Sequence, residues 1–279
     1  ASTRSRSDPM PTPLFVVDAF TDRPFAGNPA GVCFLNEWPS DLWLAAVGRE
    51  VNLAETAFLV PLADDDFDLR WFTPSVEVEL CGHATLAAAH ALWESGRAPA
   101  GRQLRFRTRS GLLTADPLTT GGIELDFPAV DATRYDPPPG LLPALGVATA
   151  VVAKNRFDYL VELASTTELA CIKPHFCRLA AVECRGVIVT APSDRPGYDF
   201  ESRFFAPAAG VDEDPVTGSA HCCLAGWWGD KLGRDDLTGY QASARGGVVR
   251  VIRRRGRVAL IGRAVTTSAG HLLIDPEPS

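Results

Sequence analysis

Arg70-Trp71-Phe72-Thr73-Pro74 and Arg203-Phe204-Phe205-Ala206-Pro207 are one phrase written twice, 133 residues apart. After each proline comes an acidic stretch, Glu77 and Glu79 in the first copy and Asp212, Glu213 and Asp214 in the second. A glycine follows, Gly82 or Gly218, at the head of a segment with helical character. An aromatic strand ending in proline is common by itself. The ordered recurrence of strand, proline, acidic loop, glycine and helix reads as a duplicated domain.

Outward from the two copies, short β-branched and aromatic runs bounded by Gly, Pro or Asp predict strands. In the first half they are 14–20, 30–35, 57–61, 67–72, 104–108, 111–115 and 122–127. In the second they are 149–154, 159–163, 186–190, 200–206, 247–253 and 258–265. Helices are expected over 41–49 with Ser40 as N-cap, from Gly82 to about Glu94, and from Gly218 to a C-cap at Gly233. Pro128 to Gly140, with its Pro137-Pro138-Pro139 run, reads as a linker. The expected division is a leader or expression remnant over 1–10, a first lobe over 11–128 and a second over 129–265. A final strand within 266–279 is expected to return to the first lobe.

Composition narrows the function. With 46% hydrophobic and 22% charged residues in 279, the chain can build a core without metal or disulfide staples. A net charge of −7 argues against nucleic acid or an anionic membrane surface as partner. No apolar run approaches the roughly 20 residues that span a bilayer. Seven cysteines without a CxxC pair fit reduced thiols, and so a cytoplasmic setting, better than a disulfide framework or a zinc site.

The mirrored helix starts suggest chemistry. A helix N-terminus offers unpaired N–H groups and the positive end of its dipole, and glycine lets a ligand come close. If Gly82-His83 and Gly218-Ser219 face one another, they form a cradle for a carboxylate. Asp214-Pro215-Val216-Thr217 adds polar groups at its rim. Glu55, in Asn52-Leu53-Ala54-Glu55-Thr56, has uncharged sequence neighbours, which suits a carboxyl desolvated for proton transfer. Residue type alone leaves a surface glutamate as the commoner reading. His83 is either a neutral ligand contact or a histidine without a role. Cys81 is either a thiol activated by the helix N-terminus or a small buried hydrophobe. Cys81 and His83 as metal ligands lack a third and fourth ligand at the expected spacing. His90 and His221 are read as structural. No dinucleotide, P-loop, hydrolase-elbow or zincin motif is present.

In order, VDAFTDRPFAGNPAGVC, NLAETAF, LRWFTPSVEVELCGHATLAAAHAL, FRTRSGLL and DPVTGSAHC resemble the PhzF-like family of phenazine-biosynthesis isomerases. The likeness runs from about residue 13 to the C-terminus. It implies the diaminopimelate-epimerase fold, an α/β architecture of two pseudo-symmetric lobes, each a mixed sheet wrapped around a central helix. It implies Glu55 as general acid/base, and His83, Asp214 and Ser219 as groups that contact or orient substrate. Backbone N–H groups near Gly82 and Gly218 would hold the substrate carboxylate. Neither metal nor cofactor is implied, and a homodimer is suggested.

The related epimerases and racemases use a cysteine at each helix start, whereas here Cys81 is matched by Thr217. The phenazine-forming branch has alanine before Gly-His and proline after it, whereas this chain reads Cys81-Gly82-His83-Ala84. The reading is therefore a cofactor-independent isomerase that shifts a proton on a small carboxylated metabolite. The rivals are a Cys81-dependent epimerase or racemase and a non-catalytic metabolite-binding protein.

Overall fold

The computed structural model describes residues 11–62 and 66–274. The leader expected over 1–10 lies outside them. The first half contributes β1 (Thr12–Ala19), β2 (Asn28–Phe34), β3 (Glu55–Pro61), β4 (Asp66–Phe72), β5 (Glu77–Val78), β6 (Leu104–Thr108), β7 (Gly111–Pro117) and β8 (Ile123–Pro128). After β9 (Thr133–Arg134), the second half repeats the series. Its strands are β10 (Val151–Lys154), β11 (Asp158–Glu162), β12 (Gly186–Pro192), β13 (Phe200–Ala206), β14 (Val211–Asp214), β15 (Asp236–Gln241), β16 (Gly247–Arg254) and β17 (Arg257–Gly262). The last strand is β18 (Ala264–Leu272). The helices are α1 (Asp41–Val51), α2 (Gly82–Glu94), α3 (Leu141–Leu145), α4 (Thr166–Cys171), α5 (Phe176–Leu179) and α6 (Gly218–Leu232).

Neighbours in the first half run β1-β2-β3-β4-β6-β7-β8, parallel at β2/β3 and β4/β6 and antiparallel elsewhere. The second half runs β10-β11-β12-β13-β15-β16-β17, parallel at β11/β12 and β13/β15. A parallel pair needs a crossover. In the first half α1 and α2 supply the two crossovers, and in the second α4 with α5 and then α6 do so. Antiparallel pairing of β8 with β17 joins the halves, while β18 lies against β1 and β9 against β10.

Ten of the thirteen residues of α2 are buried, as are nine of the fifteen in α6. A helix enclosed to that extent is a core element for the sheet to wrap, and its alanines and glycines let the strands come close. The duplicated phrase also extends beyond five residues, because Asp66-Phe67 matches Asp199-Phe200 at the same offset.

The structure explains the acidic stretches. Arg70 forks onto Glu77 through Nε (2.8 Å) and Nη2 (2.7 Å), and Arg203 forks onto Glu213 at 2.7 and 2.8 Å. Each guanidinium also lies over the second aromatic of its own phrase, 5.1 Å from Phe72 and 4.9 Å from Phe205. Each fork ties the acidic loop to its strand just before the loop feeds a central helix.

Some expectations need correcting. The run 258–265 is two strands that part at Arg263, β17 pairing with β8 and β18 with β1. At the break Gly262 packs where a side chain would strike the Phe20 ring at 2.4 Å. The stretch read as a linker carries the short strand β9. The strand β15 and the helices α3, α4 and α5 were not expected.

Candidate active site

The two central helices meet at their first residues. A Cβ placed on Gly82 would stand 3.2 Å from the Cα of Gly218, and the reverse distance is also 3.2 Å. Their N-cap residues, Cys81 and Thr217, are extended and give no side-chain cap bond. The first-turn N–H groups of both helices are therefore left without side-chain caps, as an anion cradle requires.

Glu55 opens β3, a few residues after Asn52 ends α1 in the left-handed conformation (φ 51°). Its Oε2 lies 3.1 Å from Nε2 of His83, the second residue of α2. Glu55 thus has a partner that its sequence neighbours did not reveal. His83 is buried, which works against a charged ring; its contacts with Cys81 and Glu55 outweigh this and raise its pKa well above the ordinary value. Nε2–H accordingly donates to Glu55.

Cys81 lies beneath this pair, its Sγ 3.6 Å from His83 Nδ1. Burial first, and then the charge of Glu55, push its thiol up to about 11. The lowering expected at a helix N-terminus is reversed, and at neutral pH Cys81 is a thiol. The ligand atoms of Glu55, Cys81 and His83 all lie within 4.8 Å of one another. The fold therefore supplies the third potential metal ligand that sequence spacing did not offer.

Asp214 is tethered rather than free at the rim. Its Oδ1 accepts from Asn28 Nδ2 (2.8 Å) and its Oδ2 from the Thr217 hydroxyl. Removal from water raises its carboxyl to about 6, against the charge of His83 and with the help of Glu55. Asn28 Nδ2 also donates to Val216 O (2.9 Å) and lies 3.2 Å from His83 Nδ1. Gln241 accepts from the Thr217 N–H (2.8 Å) and donates to Asp214 O (2.7 Å), fixing the turn that precedes α6. The Ser219 hydroxyl, one residue into α6, accepts from Arg185 Nη2 at 3.1 Å.

Glu55, Gly82, His83, Asp214 and Gly218 thus form one contact network, with Ser219 on its far flank. Asn28, Gln241 and Arg185 were not singled out from sequence. Of the three, only Asn28 lies in a stretch that carried the resemblance, VDAFTDRPFAGNPAGVC. His221 is buried with Nδ1 2.9 Å from Thr217 O, and burial pulls its pKa down to about 4. Surface recesses of about 620 and 660 Å³ lie elsewhere and share no residue with this network. Chemistry rather than volume marks this network as the candidate site. All seven cysteines are free, and among the described residues no helix is long and apolar enough to cross a membrane.

The family profile described as "Phenazine biosynthesis-like protein" matches residues 17–270. An uncharacterised isomerase of Halalkalibacterium halodurans is 48% identical over 95% of this chain and 100% of its own length. A PhzF-family crystal structure from Enterococcus faecalis superposes with a TM-score of 0.88 at 38% identity, covering 94% of this chain and 98% of that one. A probable proline racemase from Agrobacterium radiobacter shares the fold alone, with a TM-score of 0.67 at 11% identity over 95% of this chain and 94% of that one. Fold and relatives together define an isomerase of the two-lobed racemase and epimerase architecture. The chain belongs to the phenazine biosynthesis-like, or PhzF, family.

Proposed function

We propose that the protein is a metal- and cofactor-independent isomerase that moves a proton between carbons of a small carboxylated metabolite. Glu55 is its single acid/base. The observation that carries this reading is the Glu55 carboxylate, held 3.1 Å from His83 Nε2 where two helix starts without side-chain caps abut. The ionised carboxylate removes a proton from a carbon beside an activating group. The first-turn N–H groups of α2 and α6 stabilise the negative charge that develops. Neutral Glu55 then returns the proton to another carbon on the same face.

His83 orients the carboxylate through Nε2–H, Asn28 backs the ring, and Asp214 holds Asn28 in place. Cys81 has no thiol partner, because Thr217 occupies the matching position with its hydroxyl committed to Asp214. A threonine hydroxyl is too weak an acid to replace a thiol in reprotonation.

The test is a screen of small unsaturated carboxylates in D₂O, followed by proton NMR for C–H exchange and double-bond migration. Turnover that survives both iodoacetamide and dialysis against EDTA is the expected result. Loss on alkylation would transfer the chemistry to Cys81, and loss on chelation would make the Glu55, Cys81 and His83 cluster a metal centre. No turnover of any carboxylate, together with capture of a partner, would favour the binding-protein reading.

A further inference from the structure

Glu55 has a counterpart fixed by register. Thr56 pairs with Phe72 as Val187 pairs with Phe205, so Gly186 occupies in β12 the place of Glu55 in β3. No side chain fits there, because a Cβ on Gly186 would fall 2.3 Å from the Phe204 ring. The second half therefore has no acid/base at the mirrored position. The preceding residue, Arg185, reaches the helix start instead. Its Nη2 lies 3.1 Å from Ser219 Oγ, and Ser219 follows Gly218 as His83 follows Gly82. The abutting glycines are thus flanked by two pairs, Glu55 with His83 on one side and Arg185 with Ser219 on the other. One flank carries a carboxylate and the other a guanidinium.

The guanidinium is held in place. Nε and Nη2 donate to the two oxygens of Asp158 at 2.8 and 2.5 Å, and that carboxylate is only 1% exposed. The rings of Phe157 and Phe204 lie 4.9 and 5.8 Å from the guanidinium carbon. Among the described residues Nη1 has no partner, and the side chain is 38% exposed. A pin between β11 and β12 would need only the contact with Asp158. The contact with Ser219 and the open Nη1 go beyond that. Because the Ser219 hydroxyl accepts from Arg185, its own proton is free to be donated.

We infer that Arg185 and Ser219 hold a carboxylate of the substrate, which accepts from Nη1–H and from the serine hydroxyl on the flank opposite Glu55. This rests on the isomerase reading above and gives the substrate a direction: anionic end on the second half, migrating proton on the first. It also restricts the substrate to a molecule short enough to touch both flanks.

Malonate is a suitable probe, titrated by calorimetry into the whole chain. Arg185→Gln is expected to weaken it about tenfold or more, the scale of one lost charge-assisted contact. Because Asp158 would then be left unpaired, the double variant Arg185→Gln/Asp158→Asn removes the pair together and keeps the test valid if the single variant unfolds. Ser219→Ala should weaken malonate less, and Arg250→Gln, in a surface pair with Asp236, should leave it unchanged. Equal affinity in the wild type and the double variant would overturn the inference, as would no binding to the wild type at about 10 mM, beyond ordinary millimolar affinity. Full turnover by Glu55→Gln would instead remove the acid/base reading and leave the malonate result standing.

Discussion

The two halves share their strand order, both parallel crossovers and a mirrored Arg–Glu fork, yet they diverge where their central helices meet. Glu55 corresponds to Gly186, Cys81 to Thr217, and His83 to Ser219. The repeated residues are those that build the frame: Arg70 and Arg203, Glu77 and Glu213, Phe72 and Phe205, Gly82 and Gly218. The differing residues carry donors, acceptors and charge. Duplication has supplied two abutting helix starts, and divergence has left Glu55 beside them without a mirrored carboxylate at Gly186.

The comparison breaks first at the glycines. Gly82→Ala and Gly218→Ala should each cost about 3 kcal/mol, because the added methyl meets backbone that cannot swing away. Urea unfolding measures this, and the double variant should fall short of additivity since both methyls enter one gap. A cost below about 0.5 kcal/mol for either would mean that the helices slide apart freely, and the abutting cradle would be lost as an explanation.

The forks sharpen the comparison at a smaller scale. Their arginine side chains are similarly buried, 18% exposed for Arg70 and 14% for Arg203, so truncation to Met should cost roughly 2 kcal/mol in each half. Arg203→Met should be the worse of the two. Its guanidinium also donates to Leu169 O and Ile172 O, whereas the extra partner of Arg70 is the exposed Asp41. Paired melting curves decide it, and a costlier Arg70 would contradict the structure.

A further difference is electrostatic, since Asp214 belongs to the second half alone. Its folded pKa, about 6, lies above the ordinary 3.8, so the folded state favours its protonated form. Its contribution to stability is therefore full below 3.8 and is lost as pH rises through about 6. Asp214→Asn should remove that slope, gaining roughly 1–2 kcal/mol on the wild type between pH 4 and pH 6.5 after allowance for partial solvent screening. Unfolding titrations at several pH values check this, and parallel curves for the two proteins would refute it.

Much of this frame was legible in the sequence because helix starts and aromatic strands are local signals. Gly82 and Gly218 open α2 and α6, and Gly233 caps α6 in the left-handed conformation. The strand β15 was missed because DLTGYQ is sparse in apolar residues, and its Gly239 is there to admit the Phe200 ring, a tertiary requirement. The partners of the site were hidden for the same reason. Asn28 meets Asp214 across 186 residues and Gln241 meets Thr217 across 24, so neither contact leaves a local pattern. Cys81 stayed open between an activated thiol and a small buried hydrophobe, because burial and the charge of Glu55 reach it only after folding.

The most direct test of the central claim sets Glu55→Gln beside Cys81→Ala on whichever carboxylate the wild type isomerises, with turnover read by NMR. Glutamine keeps the shape and the contact with His83 but cannot accept a proton. The account predicts a loss of at least about 100-fold for Glu55→Gln, the low end for a positioned acid/base. For Cys81→Ala it predicts no more than about tenfold, from packing alone. Near-full activity in Glu55→Gln with a dead Cys81→Ala would contradict it and make the protein a thiol-dependent enzyme.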